Sequence, residues 1–465
     1  MKRILSTLLL LSLLASPSLS AQGTIPAFRD GDKVVLMGDS ITHGGHYHSW
    51  IWLWYMTHFP GMRIELINAG MGGETSEGML ARLEQDVFDR KPTYFTLTFG
   101  MNDTGYYDVY LSEKKDSLVR DRYEKSVACF HRIEEELAGR ADFPVVMIGG
   151  SPYDETTKAL SPGFIGKNKD IAALVAEQKA AAERHGWGFV DFNEPMVALT
   201  LREQQLDSTF TFSRVDRIHP DADGQMVMAY LFLKAQGMTG LDVADMEIDA
   251  ARRKVTRSGN CTLSSLSGGK KGIAFNYLAR SLPFPLDSVA QNGWANIRSA
   301  RDAARLVPIL DELSRESLTV KGLAPGSYRL KIDGEVIDEL TDGELAQGVN
   351  LSAYPHTPQY RQASTLMYLN EERLMMERKL VEYRWLNYEY LRDAGLMGAD
   401  NIEALNFLQE KGQKDFFVAI SLPYYKAAVD PVVRKTWQDY IDKLVDTIYT
   451  INKPKTRRIE LEKIR

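Results

Sequence analysis

Between residues 33 and 237 the sequence alternates short apolar runs with segments of helical periodicity. In the helical segments apolar residues recur at helical spacing, as in Leu80, Leu83 and Val87. Five of the apolar runs predict strands: 34–37, 64–67, 94–99, 145–148 and 189–191. Strands that alternate with helices form right-handed βαβ units. The sequence therefore predicts an α/β fold with a doubly wound parallel sheet, in which ligands bind at the carboxyl ends of the strands.

The pattern changes after about residue 241, and a chain of 465 residues is long enough for two or three domains. Residues 245–354 have the pattern of short strands broken by turns. Within them, Asp333-Gly334 predicts a type I′ hairpin turn, because both central positions of that turn need a positive φ. Beyond residue 362 the periodicity is helical. We therefore predict an α/β domain at 22–240, a strand-rich region at 241–361 and a helical region at 362–465.

The N-terminus has the pattern of a secretory signal peptide. Lys2 and Arg3 precede an apolar run at 4–14, and small residues follow at 15–21. The run is too short to span a bilayer comfortably, and no comparable apolar stretch follows it. We expect residues 1–21 to be removed, which leaves a periplasmic or secreted protein without an integral membrane segment. The alternative is an uncleaved N-terminal anchor.

The composition excludes several classes of protein. Acidic residues outnumber basic ones, 62 against 56, so the chain carries a net charge of −6 and no general attraction for nucleic acid. Cys129 and Cys261 are the only cysteines, which excludes a disulfide-rich scaffold and a metal site built from cysteines. The sequence leaves open whether the two cysteines pair.

The loops after the first three predicted strands carry polar and glycine-rich motifs. Ser40 follows the first strand, a glycine cluster that includes Gly73 follows the second, and Asn102 follows the third. Because the carboxyl ends of parallel strands meet at one edge of a sheet, we expect these groups to lie together. Ser40 is then a candidate nucleophile, and the Ser40 and Gly73 N–H groups and the Asn102 amide are candidate donors to an oxyanion. Taken singly, the same residues are equally typical of a helix N-cap, a turn and a loop hydrogen bond.

Far downstream, a carboxylate precedes a histidine by three residues in Asp216-Arg217-Ile218-His219. This spacing lets one turn place the carboxylate against the imidazole. Asp216 then holds one ring nitrogen protonated and leaves the other to accept the proton of Ser40. The alternative is that Asp216 only caps a helix that begins near Pro220.

Together these motifs resemble those of the SGNH (GDSL-like) hydrolases. The four sequence blocks of that family occur here in its order, as Gly38-Asp39-Ser40, Gly73, Gly100-Met101-Asn102-Asp103 and Asp216-Arg217-Ile218-His219. The resemblance covers residues 33–237. It implies a flavodoxin-like sheet, a triad of Ser40, His219 and Asp216, and ester hydrolysis through an acyl-enzyme without a metal or other cofactor. The second half of the chain is more loosely similar to the extension found in many secreted GDSL-like proteins of polysaccharide-degrading bacteria.

Residues that adjoin the candidate catalytic groups are predicted to contact the substrate. They are Asp39, His43, Tyr106 and Tyr107. His43 also belongs to a histidine trio with His46 and His48, which raises the question of a metal ion. The spacing of the trio is poor for one helix face and no acidic cluster accompanies it, so we predict no metal site.

Three loops predicted to border Ser40 are polar and aromatic, at 42–47, 103–107 and 151–155. A lipase needs an extended apolar surface there, since an acyl chain gains about 0.8 kcal/mol per buried CH₂. A polar and aromatic rim is instead typical of a site for a sugar that carries a small ester. We therefore predict a secreted esterase that removes acetyl groups from carbohydrate. The alternatives are a lysophospholipase or thioesterase, and a non-catalytic carbohydrate-binding protein on a hydrolase fold.

Overall fold

The computed structural model of the protein describes residues 23–289 and 298–464. The predicted signal peptide at 1–21 lies outside the described residues. The described chain forms an α/β domain, then a strand-rich region, then a helical region whose final strand returns to the strand-rich region.

The α/β domain contains five strands that pair in parallel. They are β1 (Lys33–Gly38), β2 (Glu65–Gly70), β3 (Tyr94–Leu97), β4 (Val145–Gly149) and β5 (Gly188–Asp191). Their order across the sheet is β2-β1-β3-β4-β5. The connecting helices are α1 (Ser40–Gly44), α2 (His46–His58), α3 (Ser76–Ala81), α4 (Leu83–Asp86), α5 (Tyr107–Tyr110), α6 (Lys115–Arg140), α7 (Lys167–His185), α8 (Asn193–Gln204) and α9 (Ala222–Ala235). The five predicted strands and the α/β architecture are confirmed.

Helices cover both faces of this sheet. On β1, Val34 and Leu36 pack with residues of α2 and α9, whereas Val35 and Met37 pack with residues of α3 and α6 on the opposite face. All four side chains are at most 1% exposed. A central parallel strand is buried on both faces, which explains why it has an unbroken apolar sequence rather than an alternating one.

The strand-rich region consists of two sheets. Its strands are β6 (Ala244–Asp249), β7 (Lys254–Gly259), β8 (Cys261–Gly269), β9 (Gly272–Ala279), β10 (Glu316–Lys321), β11 (Ser327–Ile332), β12 (Glu335–Thr341), β13 (Val349–Asn350) and β14 (Arg457–Lys463), and its short helices are α10 (Ile309–Glu312) and α11 (Asp342–Gln347). The sheet orders are β13-β10-β6-β7 and β12-β11-β14-β9-β8. The predicted turn between β11 and β12 is confirmed, with φ of 52° at Asp333 and 84° at Gly334.

The end of the chain differs from the prediction of a helical region that continues to residue 465. The last described residues form β14, which pairs in antiparallel fashion with β11 and β9. Ile459 and Leu461 on β14 are buried in the core of the strand-rich region. Pairing on both sides and burial of this alternating apolar face hold the segment in the sheet.

The helical region comprises α12 (Pro358–Leu386), α13 (Ile402–Gly412), α14 (Phe416–Ala428) and α15 (Pro431–Ile451), with a π-helical turn at Asn387–Leu391. Helix α12 lies along the outer edge of the α/β sheet. Glu377 accepts a hydrogen bond from the backbone N–H of Asn68 on β2, and Arg384 donates to the carbonyl of Asn68. Charged side chains of α12 thus bind backbone groups of the edge strand.

Two further features concern membranes and cysteines. Within the described residues no single helix is long and apolar enough to cross a bilayer, whereas α14 and α15, joined at a bend of 98°, pass that test only as a pair. Cys129 on α6 and the buried Cys261 on β8 are both free thiols.

Candidate active site

Ser40 lies at the carboxyl end of β1, as the first residue of α1. Asp39 caps this helix, because its Oδ1 accepts a hydrogen bond of 2.9 Å from the N–H of Ile41. The Asp39 side chain is 4% exposed. Burial raises the pKa of Asp39 to about 6, although the Ile41 hydrogen bond and the nearby His219 lower it. This position corrects the prediction that Asp39 contacts the substrate: it is buried and shapes the turn that presents Ser40.

The predicted triad is assembled in the structure. Ser40 Oγ lies 2.7 Å from Nε2 of His219, and Nδ1 of His219 lies 2.5 Å from Oδ2 of Asp216. The other oxygen of Asp216 accepts from the backbone N–H groups of Ile218 and His219 at 2.8 and 2.9 Å. Burial raises the pKa of Asp216, but the hydrogen bond and charge of His219 outweigh it and hold that pKa below its usual range. Asp216 therefore stays ionised and orients the imidazole.

Arg217 anchors the turn that carries the histidine, a role that sequence analysis missed. Its backbone has a φ of 69°, which is strained for a residue with a side chain. Its buried guanidinium donates to the carbonyls of Asp154, Thr157, Leu160 and Ser161. Arginine presents several donors in a fixed plane, which explains how one side chain ties together this many carbonyl groups. No short motif around Arg217 signals these partners.

The candidate oxyanion donors lie in the loops after β2 and β3. Nδ2 of Asn102 donates to the Glu74 carbonyl at 2.9 Å, and the hydroxyl of Tyr106 donates to Oδ1 of Asn102 at 2.7 Å. The second N–H of the Asn102 amide is thereby left for a substrate. Gly73 is exposed and has a φ of 77°, a conformation that favours glycine. Its N–H donates to no acceptor among the described residues.

Two buried groups shape the Asn102 loop. Asp103 accepts hydrogen bonds from the backbone N–H groups of Gly100 and Ser76. Lys167 is fully buried, and its Nζ donates to the carbonyls of Met101 and Gly105 and to the Thr104 hydroxyl. Burial lowers the pKa of Lys167 to about 7. Lys167 was not predicted from the sequence, since a lysine in a helical segment is normally a solvated residue.

The structure also corrects the prediction that His43 contacts the substrate. His43 is 6% exposed, and both ring nitrogens are occupied within the protein. Nδ1 accepts from the N–H of Gly72 at 3.0 Å, and Nε2 lies 3.1 Å from Oε1 of Glu382 on α12. Since Nδ1 is an acceptor here, the proton of the neutral ring is on Nε2 and is donated to Glu382.

The two remaining histidines of the trio also have protein partners. His46 Nε2 lies 3.2 Å from Glu371 Oε1, and His48 Nε2 lies 3.1 Å from the carbonyl of Thr42. Burial lowers the pKa of His48 to about 4. In the part of the chain that the structure describes, no three histidine, cysteine, aspartate or glutamate side chains are grouped as a metal ion requires.

Fewer of the loops predicted to border Ser40 are exposed than the sequence predicts. The loops at 42–47 and 151–155 are largely buried, the former beneath α12. Tyr106 remains partly exposed beside Asn102, and Tyr107 is 73% exposed with its ring edge-on to Phe164. A substrate contact by Tyr106 or Tyr107 stays a prediction.

Comparisons with known proteins agree with this arrangement. The model of the GDSL-like lipase/acylhydrolase family matches residues 36–227, and the model of the diltiazem deacetylase C-terminal helical domain matches residues 364–453. The chain is 26% identical over 233 residues to an acetylxylan esterase of Geobacillus stearothermophilus, a match that covers 44% of this chain and 94% of that protein. It is also similar to the solved structure of BT4096, described as a gut microbial diltiazem-metabolizing enzyme. The two sequences are 41% identical, and the structural match has a TM-score of 0.91 and covers 95% of this chain and all of the other.

Proposed function

The chain belongs to the GDSL-like lipase/acylhydrolase (SGNH) family, and we propose that within this family of esterases it removes acetyl groups from hydroxyl oxygens of carbohydrate outside the cytoplasm. The observation that carries the catalytic part of this proposal is the continuous chain of contacts from Ser40 through His219 to Asp216, at 2.7 and 2.5 Å. The three residues lie beside the loops after β2 and β3, in which the Gly73 N–H and one N–H of the Asn102 amide are left for a substrate.

The geometry supports a two-step mechanism. His219 Nε2 takes the proton of Ser40 while Ser40 Oγ attacks the ester carbonyl. The N–H groups of Ser40, Gly73 and Asn102 stabilise the tetrahedral oxyanion. His219 then gives its proton to the leaving alcohol oxygen, which leaves an acetyl-enzyme. Water, deprotonated by His219, attacks this intermediate and releases acetate and the free serine.

A short acyl group is favoured by how the protein is packed behind the nucleophile. The interior next to Asp39, the residue before Ser40, holds a cavity of only about 10 Å³, lined by residues that include Thr42, Tyr47 and Ser151. This is about the space of one water molecule. A long acyl chain would have to lie on the surface instead, where it gains less from burial.

Two observations support carbohydrate as the carrier of the acetyl group. The ring of Tyr107, in the loop that follows Asn102, is 73% exposed and provides a face on which a sugar ring can stack. One relative is described as an acetylxylan esterase. The signal-peptide pattern at residues 1–21 supports export of the protein. Export would bring the enzyme to acetylated polysaccharides outside the cytoplasm.

A second candidate substrate is an acetyl ester of an aromatic drug-like molecule. It is favoured by the relative that is 41% identical along nearly the whole chain and is described as diltiazem-metabolizing. The same triad and oxyanion donors serve both substrates. The two candidates therefore differ in what the surface around Tyr107 binds, not in the chemistry.

The experiment that tests the proposal compares acetate release from acetylated xylo-oligosaccharides, from diltiazem and from p-nitrophenyl acetate. Ser40→Ala is the control for enzyme-dependent release, and chemically deacetylated oligosaccharide is the control for substrate. We expect release from all three that Ser40→Ala abolishes, with the highest kcat/KM for the carbohydrate. A higher kcat/KM for diltiazem would favour the second candidate, and no release from any ester would contradict the esterase assignment.

A further inference from the structure

The turn that carries Gly73 is held from behind by the helical region. Nε1 of Trp385, near the end of α12, donates to the carbonyl of Gly72 at 2.9 Å. The N–H of Gly72 donates to Nδ1 of His43 at 3.0 Å, and His43 in turn contacts Glu382. The second carboxylate oxygen of Glu382 accepts from the hydroxyl of Ser421 on α14 at 2.7 Å. Both polar groups of Gly72 are therefore bound, and each leads back to α12.

These contacts determine the direction of the catalytic N–H. The carbonyl of Gly72 and the N–H of Gly73 belong to one peptide unit, which is planar and trans, so they point in opposite directions. When Trp385 holds the carbonyl on the side of α12, the N–H of Gly73 must point away from α12. His43 holds the preceding peptide unit through the N–H of Gly72. The turn then has little freedom left, although Gly73 itself is exposed.

Packing reinforces the hydrogen bonds. Met71, which precedes the two glycines, is 2% exposed and is buried in the core of the helical region with Trp385, Leu386 and Leu391. The Trp385 ring is 8% exposed and packs edge-on against Tyr390 at 5.5 Å, and the Tyr390 hydroxyl donates to Asp415 at 2.7 Å. Residues of the helical region thus pack around the indole that binds Gly72.

We propose that the C-terminal helical region is a positioning element for the oxyanion donor Gly73, acting through Trp385 and the His43–Glu382 pair. None of these three residues is a catalytic residue in this proposal, because each acts on the peptide units around Gly72. The inference rests on the proposed function, since it assigns to the Gly73 N–H the stabilisation of the tetrahedral intermediate. It gives the helical region a part in the reaction rather than only in stability.

The first test is Trp385→Phe, which keeps an aromatic ring but removes the donor to Gly72. We expect kcat on p-nitrophenyl acetate to fall about tenfold or more with KM nearly unchanged, because the Gly73 N–H, which Trp385 positions, stabilises the transition state. Deuterium uptake at residues 71–75, measured by mass spectrometry, should rise. Trp437→Phe is the matched control: Trp437 lies on α15 against Lys379, and its substitution should change neither quantity.

The second test separates the two glutamates of α12 that pair with histidines. Glu382→Ala should lower kcat and raise uptake at residues 71–75, whereas Glu371→Ala, which removes the partner of His46, should do neither. Glu382→Gln keeps an acceptor for His43 and should restore most of kcat. Thermal unfolding of every variant shows whether a loss of kcat exceeds what unfolding explains.

The outcomes are distinguishable. Wild-type kcat and uptake in both Trp385→Phe and Glu382→Ala would overturn the positioning role, as would equal losses in the two control variants. If the wild-type protein hydrolysed no acetyl ester, the proposed function would fail instead. The deuterium uptake would then still show whether α12 holds the turn, because that measurement needs no substrate.

Discussion

Ser40 Oγ and His219 Nε2 lie 2.7 Å apart, although 179 residues separate them in the sequence. At this distance the hydroxyl donates its proton directly to the imidazole, so the two residues act as a unit. We expect Ser40→Ala and His219→Ala each to lower kcat on p-nitrophenyl acetate by at least about a thousandfold, and the double variant to be little worse. Additive losses, or full activity of purified Ser40→Ala, would contradict this mechanism. Circular dichroism of each variant is the control for folding.

Tyr106 determines which end of the Asn102 amide faces the nucleophile. Without its hydroxyl, Oδ1 of Asn102 loses its donor, and only the bond from Nδ2 to the Glu74 carbonyl still orients the amide. We expect Tyr106→Phe to lower kcat about tenfold with little change in KM, in line with about 1.4 kcal/mol for a lost hydrogen bond at a reacting centre. Tyr107→Phe is the control, because Tyr107 is 73% exposed and its ring rather than its hydroxyl contacts Phe164. Equal effects of the two substitutions would argue against the role of Tyr106.

The reaction needs no metal ion in the mechanism above, and His43, His46 and His48 are each bound to protein groups. We expect activity on p-nitrophenyl acetate to be unchanged after dialysis against EDTA. The measurement is the initial rate before and after dialysis, with buffer-only dialysis as the control. A loss that a divalent cation restores would contradict the metal-free mechanism.

The buried carboxylate of Asp39 makes stability depend on pH. Its pKa of about 6 in the folded protein lies above the ordinary value of 3.8, so the folded state binds the proton more tightly than the unfolded state does. Burial of the charge therefore costs little near pH 4 and up to about 3 kcal/mol above pH 6. Asp39→Asn keeps an acceptor for the Ile41 N–H and removes the charge.

We therefore expect the melting temperature of Asp39→Asn to match that of the wild type at pH 4 and to exceed it at pH 8. Differential scanning calorimetry at the two pH values measures this difference. A difference of the same size at both values would mean that the charge of Asp39 is not its cause.

The filled space behind Ser40 predicts a preference for short acyl groups. We expect kcat/KM on p-nitrophenyl esters to be highest for acetate and to fall as the acyl chain lengthens to octanoate, because the interior next to Asp39 holds a cavity of only about 10 Å³ and a longer chain would stay on the surface. The series uses one leaving group, so only the acyl part varies. A higher kcat/KM for octanoate than for acetate would move the assignment to a lipase or a thioesterase.

Much of the α/β domain is predictable from the sequence. Strands buried on both faces need unbroken apolar runs, and the loops at their carboxyl ends must lie at one edge, so Ser40, Gly73 and Asn102 are expected to meet there. The spacing of Asp216 and His219, together with the family resemblance, adds the other two residues of the triad. The turn at Asp333-Gly334 is equally local, since positive φ at two successive residues restricts the residue types. These features depend on short stretches of chain, so they can be predicted from a single sequence.

The support of the site depends on contacts that no local pattern encodes. Trp385 contacts Gly72 although 313 positions separate them, and the sequence around Trp385 predicts only a long helix with charged and aromatic residues. His43 was expected at the substrate because it follows Ser40, yet the packing of α12 on the sheet edge buries it and gives it Glu382 as a partner. The sequence by itself determined which groups carry the proposed chemistry, because spacing and strand ends bring them together. Only the tertiary structure decided what holds those groups in place, because long-range burial selects the partners of a buried polar side chain.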